Sequence, residues 1–436
     1  MPALYDSLIN EFEVFFPQFE KTESPLLLRK RKDAFTVFAK EKFPTTKHEE
    51  WRFTDISRFL KDDFKFNSNV KIKLSTIRKA VNQAKIENVD AYYLVLVNDV
   101  IYPQFSFLPQ TDELIVKPIS EIKNSSEFES IINQNIDVER FPFVSLNTSF
   151  FENGYFIKLK KDTQLDKPLQ IIQVYAAKEN IFLQPRHLLK VSSGADCSII
   201  ETLVCMDEKI FFINSCTEIF VEENAHLRHL NFQQGSENER RISHSQVRQA
   251  QNSYYENFTI TFPEAAFVRN NLNVVLDGAD AETHLYGLYV AGNQCLVDNH
   301  SLVEHRFPDC KSNQLYKGIM LDGGRGVFNG KIYVHREAQK TNAFQQNNNL
   351  LFSPNAVINS KPQLEIFADD VKCSHGTTIG QFNEEALFYL RSRGIGEEAA
   401  RGLLVNAFAT DVTAKIKNEA LRKHIEQLVG AVIQSK

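Results

Sequence analysis

The sequence predicts a mainly β protein in which a long β-solenoid lies between two helical regions. Three observations support this prediction. Residues 168–373 consist of short runs rich in β-branched and aromatic residues, separated by polar turns and almost free of helical periodicity. Short segments within that stretch recur at a fixed spacing, as they do in repeat architectures. The two ends of the chain instead carry apolar residues at helical spacing.

We therefore expect three regions along the chain. The first is a helical and mixed N-terminal region over residues 1–165. The second is the solenoid over residues 166–381, and the third is a C-terminal helical domain over residues 382–436.

The N-terminal region begins with helical patterns. Ser24 and Pro25 predict a helix start, because serine caps helix N-termini and proline fits the first helical position. We interpret the basic run at 29–32 as the solvated face of this helix rather than as a nucleic-acid site. Further along, Tyr92–Val97 and the following residues 100–102 predict a short β-hairpin.

The repeat has a period of about 30 residues, which is within the range typical of solenoid proteins. Segments 297–299, 327–329 and 357–359 each begin with valine and end with asparagine, and a looser copy at 268–270 is one position out of phase. In a solenoid, equivalent side chains stack, so we expect the valines inside and the asparagines in an amide ladder. An antiparallel β-sandwich is the competing architecture, although it has no reason to keep such a spacing.

The C-terminal region predicts three helices. Asn383 is expected to cap the first, and Gly394 to end it. Two further amphipathic helices are expected over residues 397–409 and 414–432. Such helices can cover the end of a solenoid or offer a docking face to a partner.

Composition excludes several classes of function. The 436 residues carry a net charge of −5, so no overall positive field draws the protein to nucleic acid or anionic lipid. The N-terminus has no basic region typical of a signal peptide, and no apolar run reaches the length that spans a bilayer. No two of the six cysteines form a C-x-x-C pair, and we expect a cytoplasmic protein with reduced thiols.

Catalytic motifs are missing. Residues 323–331 resemble a nucleotide-binding P-loop, but Arg325 stands where the motif needs glycine, and Ile332 stands where Mg²⁺ needs a hydroxyl ligand. Hydrolase, zinc-protease and dinucleotide-binding motifs do not occur. We therefore expect no ATPase activity from this chain.

Cys373 and His375 form the most suggestive pair. On a strand they would share one face, about 6–7 Å apart along the backbone, where a thiol and an imidazole can bind a soft metal ion. Two ligands do not complete a metal site, so another would have to come from elsewhere. The alternative is a buried cysteine beside a structural histidine, which spacing alone favours.

A second group mixes metal-ligand types without a compact spacing. Asp298, His300, His305 and Cys310 are separated by gaps that match no known metal motif. We interpret them as polar residues lining the solenoid.

Longer motifs resemble one family. The segments CSHGTTIGQ at 373–381 and EALFYLRSRGI at 385–395 resemble the C-terminal signature of the SufB/SufD family, scaffold subunits of the SufBCD complex for iron–sulfur cluster assembly. EWRFT at 50–54 resembles an N-terminal element of the same family. Ser374 and the chain length favour its SufD branch. Further similar residues within the solenoid are Val303, Glu304, His305, Cys310, Ser312, Tyr316, Lys317, Gly318, Phe328, Asn329, Gly330, Gln339 and the runs 361–366 and 368–371.

The resemblance implies a fold, partners and a site. The fold would be a right-handed parallel β-helix, and the chain would have no activity of its own. A SufB homologue would pair at the end near Cys373 and His375, where a transient iron or iron–sulfur cluster is built and iron is acquired, so a metal shared with the partner chain could bind there. A SufC homologue, an ATPase, would dock on the C-terminal helices at Phe388, Tyr389, Arg391, Arg393, Gly394 and Ile395.

Two other interpretations stay open at this point. A β-helix enzyme acting on acidic polysaccharide, as a lyase or hydrolase, would use carboxylates such as Asp298, Asp369 and Asp370 along a groove. A purely structural interaction module would tolerate replacement of both Cys373 and His375. Whether the isolated chain forms a homodimer is left open, as is the role of residues 55–160.

Overall fold

The computed structural model describes residues 3–66, 72–206, 208–382 and 384–434. It confirms a mainly β protein, a parallel β-solenoid of about eight turns with helices at both ends. The predicted cap residue Asn383 lies outside the described residues.

The helices fall into an N-terminal and a C-terminal set. In chain order they are α1 Ala3–Glu20, α2 Pro25–Glu41, α3 Leu74–Ala84, α4 Ile119–Ile122, α5 Ser126–Ile131, α6 Pro142–Phe150, α7 Glu384–Ser392, α8 Glu397–Thr413 and α9 Glu419–Gln434.

The strands lie between these two sets, apart from a few that precede α6. In chain order they are β1 Tyr92–Val97, β2 Val100–Ile101, β3 Leu114–Pro118, β4 Tyr155–Leu159, β5 Leu169–Tyr175, β6 Ile181–Leu183, β7 Arg186–Val191, β8 Asp196–Cys205, β9 Phe211–Val221, β10 His226–Gln233, β11 Glu239–Gln249, β12 Tyr254–Thr261, β13 Phe267–Leu276, β14 Glu282–Ala291, β15 Leu296–His305, β16 Lys311–Met320, β17 Arg325–Val334, β18 Asn342–Leu351, β19 Val357–Ile366 and β20 Lys372–Gln381.

The strands form two long sheets that face each other. One runs β2-β1-β5-β8-β10-β12-β14-β16-β18-β20, and the other runs β19-β17-β15-β13-β11-β9-β7-β4-β3, with β6 beside β9. From β5 onward the strands alternate between the sheets with few exceptions, and each pairs in parallel with the equivalent strand one turn away. Antiparallel pairing occurs at the first turn, where β2 joins β1 in the predicted hairpin and β3 joins β4.

The predicted constant register is wrong in detail. β15 and β17 pair Asp298 with Val327, whereas β17 and β19 pair Arg325 with Val357. Paired residues are therefore further apart in sequence between β17 and β19 than between β15 and β17. Turns of unequal length cause the difference. Side chains alternate between the two faces of a strand, so a slip by a single position moves a side chain to the other face.

The repeated valines consequently occupy different environments. Val297 belongs to the interior core, whereas Val327 packs on the outer face beneath the N-terminal helices and Val357 is 40% exposed. An amide ladder forms one turn earlier, where Asn270 Nδ2 donates to Asn299 Oδ1 at 3.0 Å. The segment 268–270, which is one position out of phase in the sequence, is thus in register with segment 297–299 in the structure.

Each outer face of the solenoid is covered by one end of the chain. The N-terminal helices pack an aromatic cluster, including Phe12, Phe38 and Phe150, against Phe182 and Phe212 of one sheet. On the other sheet, α8 and α9 bury a second apolar cluster. The interior between the sheets holds a third cluster of aliphatic and tyrosine side chains.

The N-terminal helices confirm one prediction and correct another. Ser24 Oγ accepts a hydrogen bond from the Leu27 amide and caps α2 as expected. The basic run is not a uniformly solvated face, because Arg31 is fully buried. Its Nε lies 2.6 Å from Glu23 Oε2, and its guanidinium stacks on the rings of Phe19 and Phe151 at 4.0 and 4.2 Å.

One lysine ties the C-terminal helices to the solenoid. Lys317 on β16 is 4% exposed, and its ammonium donates to the Phe408 carbonyl oxygen at 2.8 Å and forms an ion pair with Asp411 of α8. It also lies 4.3 Å from the centre of the Phe408 ring. A buried ammonium depends on such partners, because an unpaired charge is costly away from water.

We predict that Asp411→Asn loosens α8 and α9 without unfolding the solenoid. The substitution leaves the buried ammonium without its counter-ion, at a cost of about 1–3 kcal/mol. Hydrogen exchange should accelerate in α8 and α9 only. Glu398→Gln, on the exposed first turn of α8, is the matched control and should leave exchange unchanged; equal acceleration in both variants would contradict the prediction.

Candidate functional site

Cys373 and His375 lie on the last strand of their sheet. β20 pairs with β18 on one side, with Cys373 beside Ala343 and His375 beside Gln345. Among the described residues, no strand pairs with the other side of β20 or with the outer side of β19. We call the surface formed by β19 and β20 the open end of the solenoid. The prediction that the two side chains share one strand face is confirmed.

Cys373 points toward the apolar interior of the last turn. It packs with the cluster that contains Ile332, Val334 and Ala343, and it is partly exposed. Burial raises the pKa of its thiol, so the uncharged form prevails at neutral pH. Use of Cys373 as a ligand or nucleophile would require a partner or metal that favours the thiolate.

His375 is exposed beside polar groups of the open end. Two positions further on, Thr377 Oγ1 donates to Ser360 Oγ at 2.9 Å, and Ser360 Oγ donates to Asn347 Oδ1 at 2.8 Å. Within the described part of the chain, no three His, Cys, Asp or Glu side chains gather in a way that could hold a metal ion. A metal bound by Cys373 and His375 therefore stays a prediction that needs ligands from a second chain.

The second predicted group does not form one site. His305 and Cys310 are buried, where His305 Nε2 lies 2.9 Å from Ser312 Oγ and Cys310 Sγ donates to the Gly278 carbonyl oxygen. Burial lowers the pKa of His305 to about 3 and raises that of Cys310 to about 11. Both are thus neutral side chains of the core.

Asp298 and His300 instead lie on an outer face and contact the N-terminal region. Asp298 is fully buried and accepts hydrogen bonds from Arg269 Nη1 and from Thr54 Oγ1, both at 2.6 Å. His300 lies between two carboxylates, 2.8 Å from Asp298 and 3.2 Å from Glu50.

Trp51 completes this junction. The Arg269 guanidinium lies 3.8 Å from the centre of the Trp51 ring, and its Nη2 donates to the Glu50 carbonyl oxygen at 3.0 Å. We call the contact of residues 50–54 with Arg269, Asp298 and His300 the Trp51 junction. Sequence reasoning missed its role, because the two sides of the junction come from distant parts of the chain.

Both carboxylates of the Trp51 junction are held in the charged form. The hydrogen bond from His300 lowers the pKa of Glu50 to about 2. Burial alone would raise the pKa of Asp298, but Arg269, His300 and Thr54 together lower it to about 2. A fully buried, ion-paired Asp298 is not available as a groove carboxylate, which removes a main support of the polysaccharide-enzyme interpretation.

The P-loop-like segment is part of a strand. Gly326, Gly330 and Lys331 lie within β17, and Lys331 Nζ pairs with Glu365 at 2.6 Å. A phosphate-binding loop must instead connect a strand to a helix and present its backbone N–H groups. The structure therefore agrees with the sequence in giving this segment no nucleotide-binding role.

The predicted partner-binding residues surround the end of α7. Phe388 and Tyr389 are 74% and 58% exposed. Arg391 and Arg393 are exposed as well, although Arg391 pairs with Glu397 and Arg393 lies over the Tyr389 ring. Gly394 ends the turn with φ +86°, and half-buried Ile395 packs on the core beneath.

Family comparisons cover almost the whole chain. Residues 174–408 match the model of the SufBD core domain of the SUF system for FeS cluster assembly, and residues 4–171 match the SufBD N-terminal region. The chain belongs to the SufB/SufD family. Both the Trp51 junction and the open end lie in the matched residues.

Individual relatives agree with this SufBD assignment. The iron–sulfur cluster assembly protein SufD of Escherichia coli is 30% identical over 397 residues, which cover 89% of this chain and 88% of the relative. A SufBD family protein of Synechocystis is 30% identical over 421 residues, 94% of this chain and 92% of the relative. The chloroplastic protein ABCI7 of Arabidopsis thaliana is 38% identical over 251 residues, 57% of this chain and 53% of the relative.

Two general properties of this SufBD chain complete the description. None of the six cysteines, all of which the structure describes, forms a disulfide. Among the described helices, none combines the length and apolar character needed to cross a membrane.

We predict that acid opens the Trp51 junction between about pH 4 and pH 2. Glu50 and Asp298 have pKa values of about 2 when folded, below their ordinary values of 4.5 and 3.8. Their contribution to stability is therefore present above pH 4.5 and is lost as pH falls toward 2. Trp51 is the only tryptophan of the chain, so its fluorescence reports on this junction directly.

The comparison variant is Asp298→Asn, which should shift Trp51 emission toward that of exposed indole already at neutral pH. Glu49→Gln is the control, because Glu49 pairs at the surface with Lys361. An acid transition unchanged by Asp298→Asn would contradict the prediction.

Proposed function

We propose that this chain is a SufD-type scaffold subunit of a SufBCD complex for iron–sulfur cluster assembly. The observation that carries the proposal is the open end, where a strand edge that no described strand pairs with presents Cys373 and exposed His375 together. The family and the relative named SufD support the branch.

The open end suits pairing with a second solenoid. Edge strands present unpaired N–H and C=O groups, which another strand can satisfy. Ile379 and Val357, 52% and 40% exposed, add apolar surface there. We propose a SufB homologue as the partner, and a second copy of this chain as the occupant when SufB is absent.

Such pairing would also complete the metal site. Cys373 and His375 supply two ligands, and the partner would supply the rest to a transient iron or iron–sulfur cluster that is cargo rather than a resident cofactor. In this proposal the chain assists iron acquisition and has no catalysis of its own. A cytoplasmic location belongs to the same proposal, since thiols stay reduced there.

The C-terminal helices are the proposed contact for a SufC homologue, an ATPase. Phe388 and Tyr389 form an exposed aromatic pair beside Arg391 and Arg393. Exposed aromatic and arginine side chains are enriched where protein interfaces form. Nucleotide hydrolysis would then come from the partner.

We predict that His375→Ala leaves the complex intact and abolishes cluster maturation. Loss of the imidazole removes a ligand while the strand backbone that pairs with the partner is kept. Co-purification with SufB and SufC homologues and the activity of an iron–sulfur enzyme in cells are the two measurements. Ser374→Ala, on the other strand face, is the control. Normal maturation with His375→Ala would reduce His375 to a structural residue.

We predict that Phe388→Asp abolishes co-purification of the SufC homologue and leaves the SufB homologue bound. A carboxylate in an apolar contact must be desolvated without a partner, which is costly. The matched control is Val14→Asp, at a position that is 60% exposed on α1. Retention of SufC by the Phe388 variant would place its docking site elsewhere.

A further inference from the structure

A separate cavity lies beside the turn between β1 and β2. Its volume is about 340 Å³, and it is bounded by that turn, by the end of α6 and by residues of α1 and β6. Its walls carry two carboxyl groups, Asp99 and Glu152, and four phenylalanines, Phe15, Phe66, Phe150 and Phe182. We call this cavity the hairpin pocket. It shares no lining residue with the open end or with the Trp51 junction.

Neither carboxyl group of the hairpin pocket forms an ion pair with a described residue, although Arg31 and Lys123 lie near enough to Glu152 to lower its pKa. Asp99 is 5% exposed, and its Oδ1 accepts a hydrogen bond from the Tyr175 hydroxyl at 2.5 Å. No Lys, Arg or His is among the described residues that line the cavity. The nearby cations Arg31 and Lys123 pair with Glu23 instead.

Ionisation of these two carboxyl groups is energetically unfavourable without a bound cation. Burial raises the pKa of Asp99 to about 7 and also raises the pKa of Glu152. Buried carboxylates are normally paired, because removal from water disfavours the charged form. A cation in the hairpin pocket would supply the missing partner.

The aromatic walls indicate which kind of cation fits. Phe66 lies 6.5 Å from Phe150 and 6.4 Å from Phe182, measured between ring centres, and Phe15 lies 6.4 Å from Phe150. Ring faces attract ammonium groups and also pack against methylene groups. A hydrated metal ion gains nothing from such walls, whereas an alkyl ammonium uses both the rings and the carboxylates.

We propose that the hairpin pocket binds a small aliphatic diamine, with one ammonium group on Asp99 and the other on Glu152. Two carboxyl groups match two charges, and the phenylalanine rings match the methylene chain between them. The site is independent of the proposed function in cluster assembly, so either can fail without the other.

The turn geometry makes Asp99 a clean position to test. Asn98 and Asp99 have φ values of +47° and +64°. Asparagine is among the residues best tolerated in this left-handed region and is favoured in such hairpin turns. Asp99→Asn therefore keeps the turn and leaves an amide oxygen for the Tyr175 hydroxyl, while it removes the charge.

The experiment is calorimetric titration of the full chain with putrescine and with propylamine, at constant ionic strength and at about pH 8, where Asp99 is ionised. We expect saturable binding of one putrescine per chain. Asp99→Asn should weaken the binding of both amines by about tenfold or more, as expected for loss of a charge-assisted hydrogen bond. Glu152→Gln should weaken the binding of putrescine and leave the affinity for propylamine unchanged. Glu121→Gln, an exposed carboxylate on α4, is the control.

Three results would overturn the proposal. These are the absence of saturable putrescine binding, equal affinity in wild type and Asp99→Asn, and displacement of putrescine by Mg²⁺ at equal ionic strength, which would indicate a site for inorganic cations. Circular dichroism of each variant confirms that any loss of binding occurs in a folded chain.

Discussion

A parallel solenoid can satisfy the backbone of every turn except the last one at each end. At the first turn this protein places short antiparallel strands, β2 and β3, beside the sheets. At the other end, β19 and β20 have no further strand among the described residues. The molecule is therefore asymmetric along its axis. Unpaired edges in water are a hazard for aggregation, which is why the open end is the surface proposed for a partner.

The outer faces follow a different rule from the ends. Each long sheet would expose an apolar face to water if only the solenoid were present, and each end of the chain returns to cover one of them. Specific polar contacts orient the N-terminal and C-terminal regions on the sheets. Arg269 and Asp298 join the Trp51 junction to one sheet, and Lys317 joins α8 to the other. Because these charges are buried and paired, they favour one position of each terminal region on its sheet over other positions.

The candidate site was only partly predictable. Alternation along a strand was enough to place Cys373 and His375 on one face, since that pattern is local. The same alternation puts Asp298 and His305 on opposite faces of β15, but it could not tell which of the two faces is the interior of the solenoid. Nor could it find the partner of Asp298, because Thr54 approaches from 244 residues away in sequence. Contacts between distant segments leave no periodic signal in the chain.

The sequence by itself determined the strand-rich solenoid and its helical ends, because alternation and helical periodicity are properties of neighbouring residues. It also placed Cys373 and His375 two positions apart on one strand. Only the tertiary structure decided the register, because the spacing between paired strands varies with turn length. That variation sends Val297 inside and Val327 outside. The tertiary structure also determines which strand edges lack a partner among the described residues, since that depends on where the stack of turns ends.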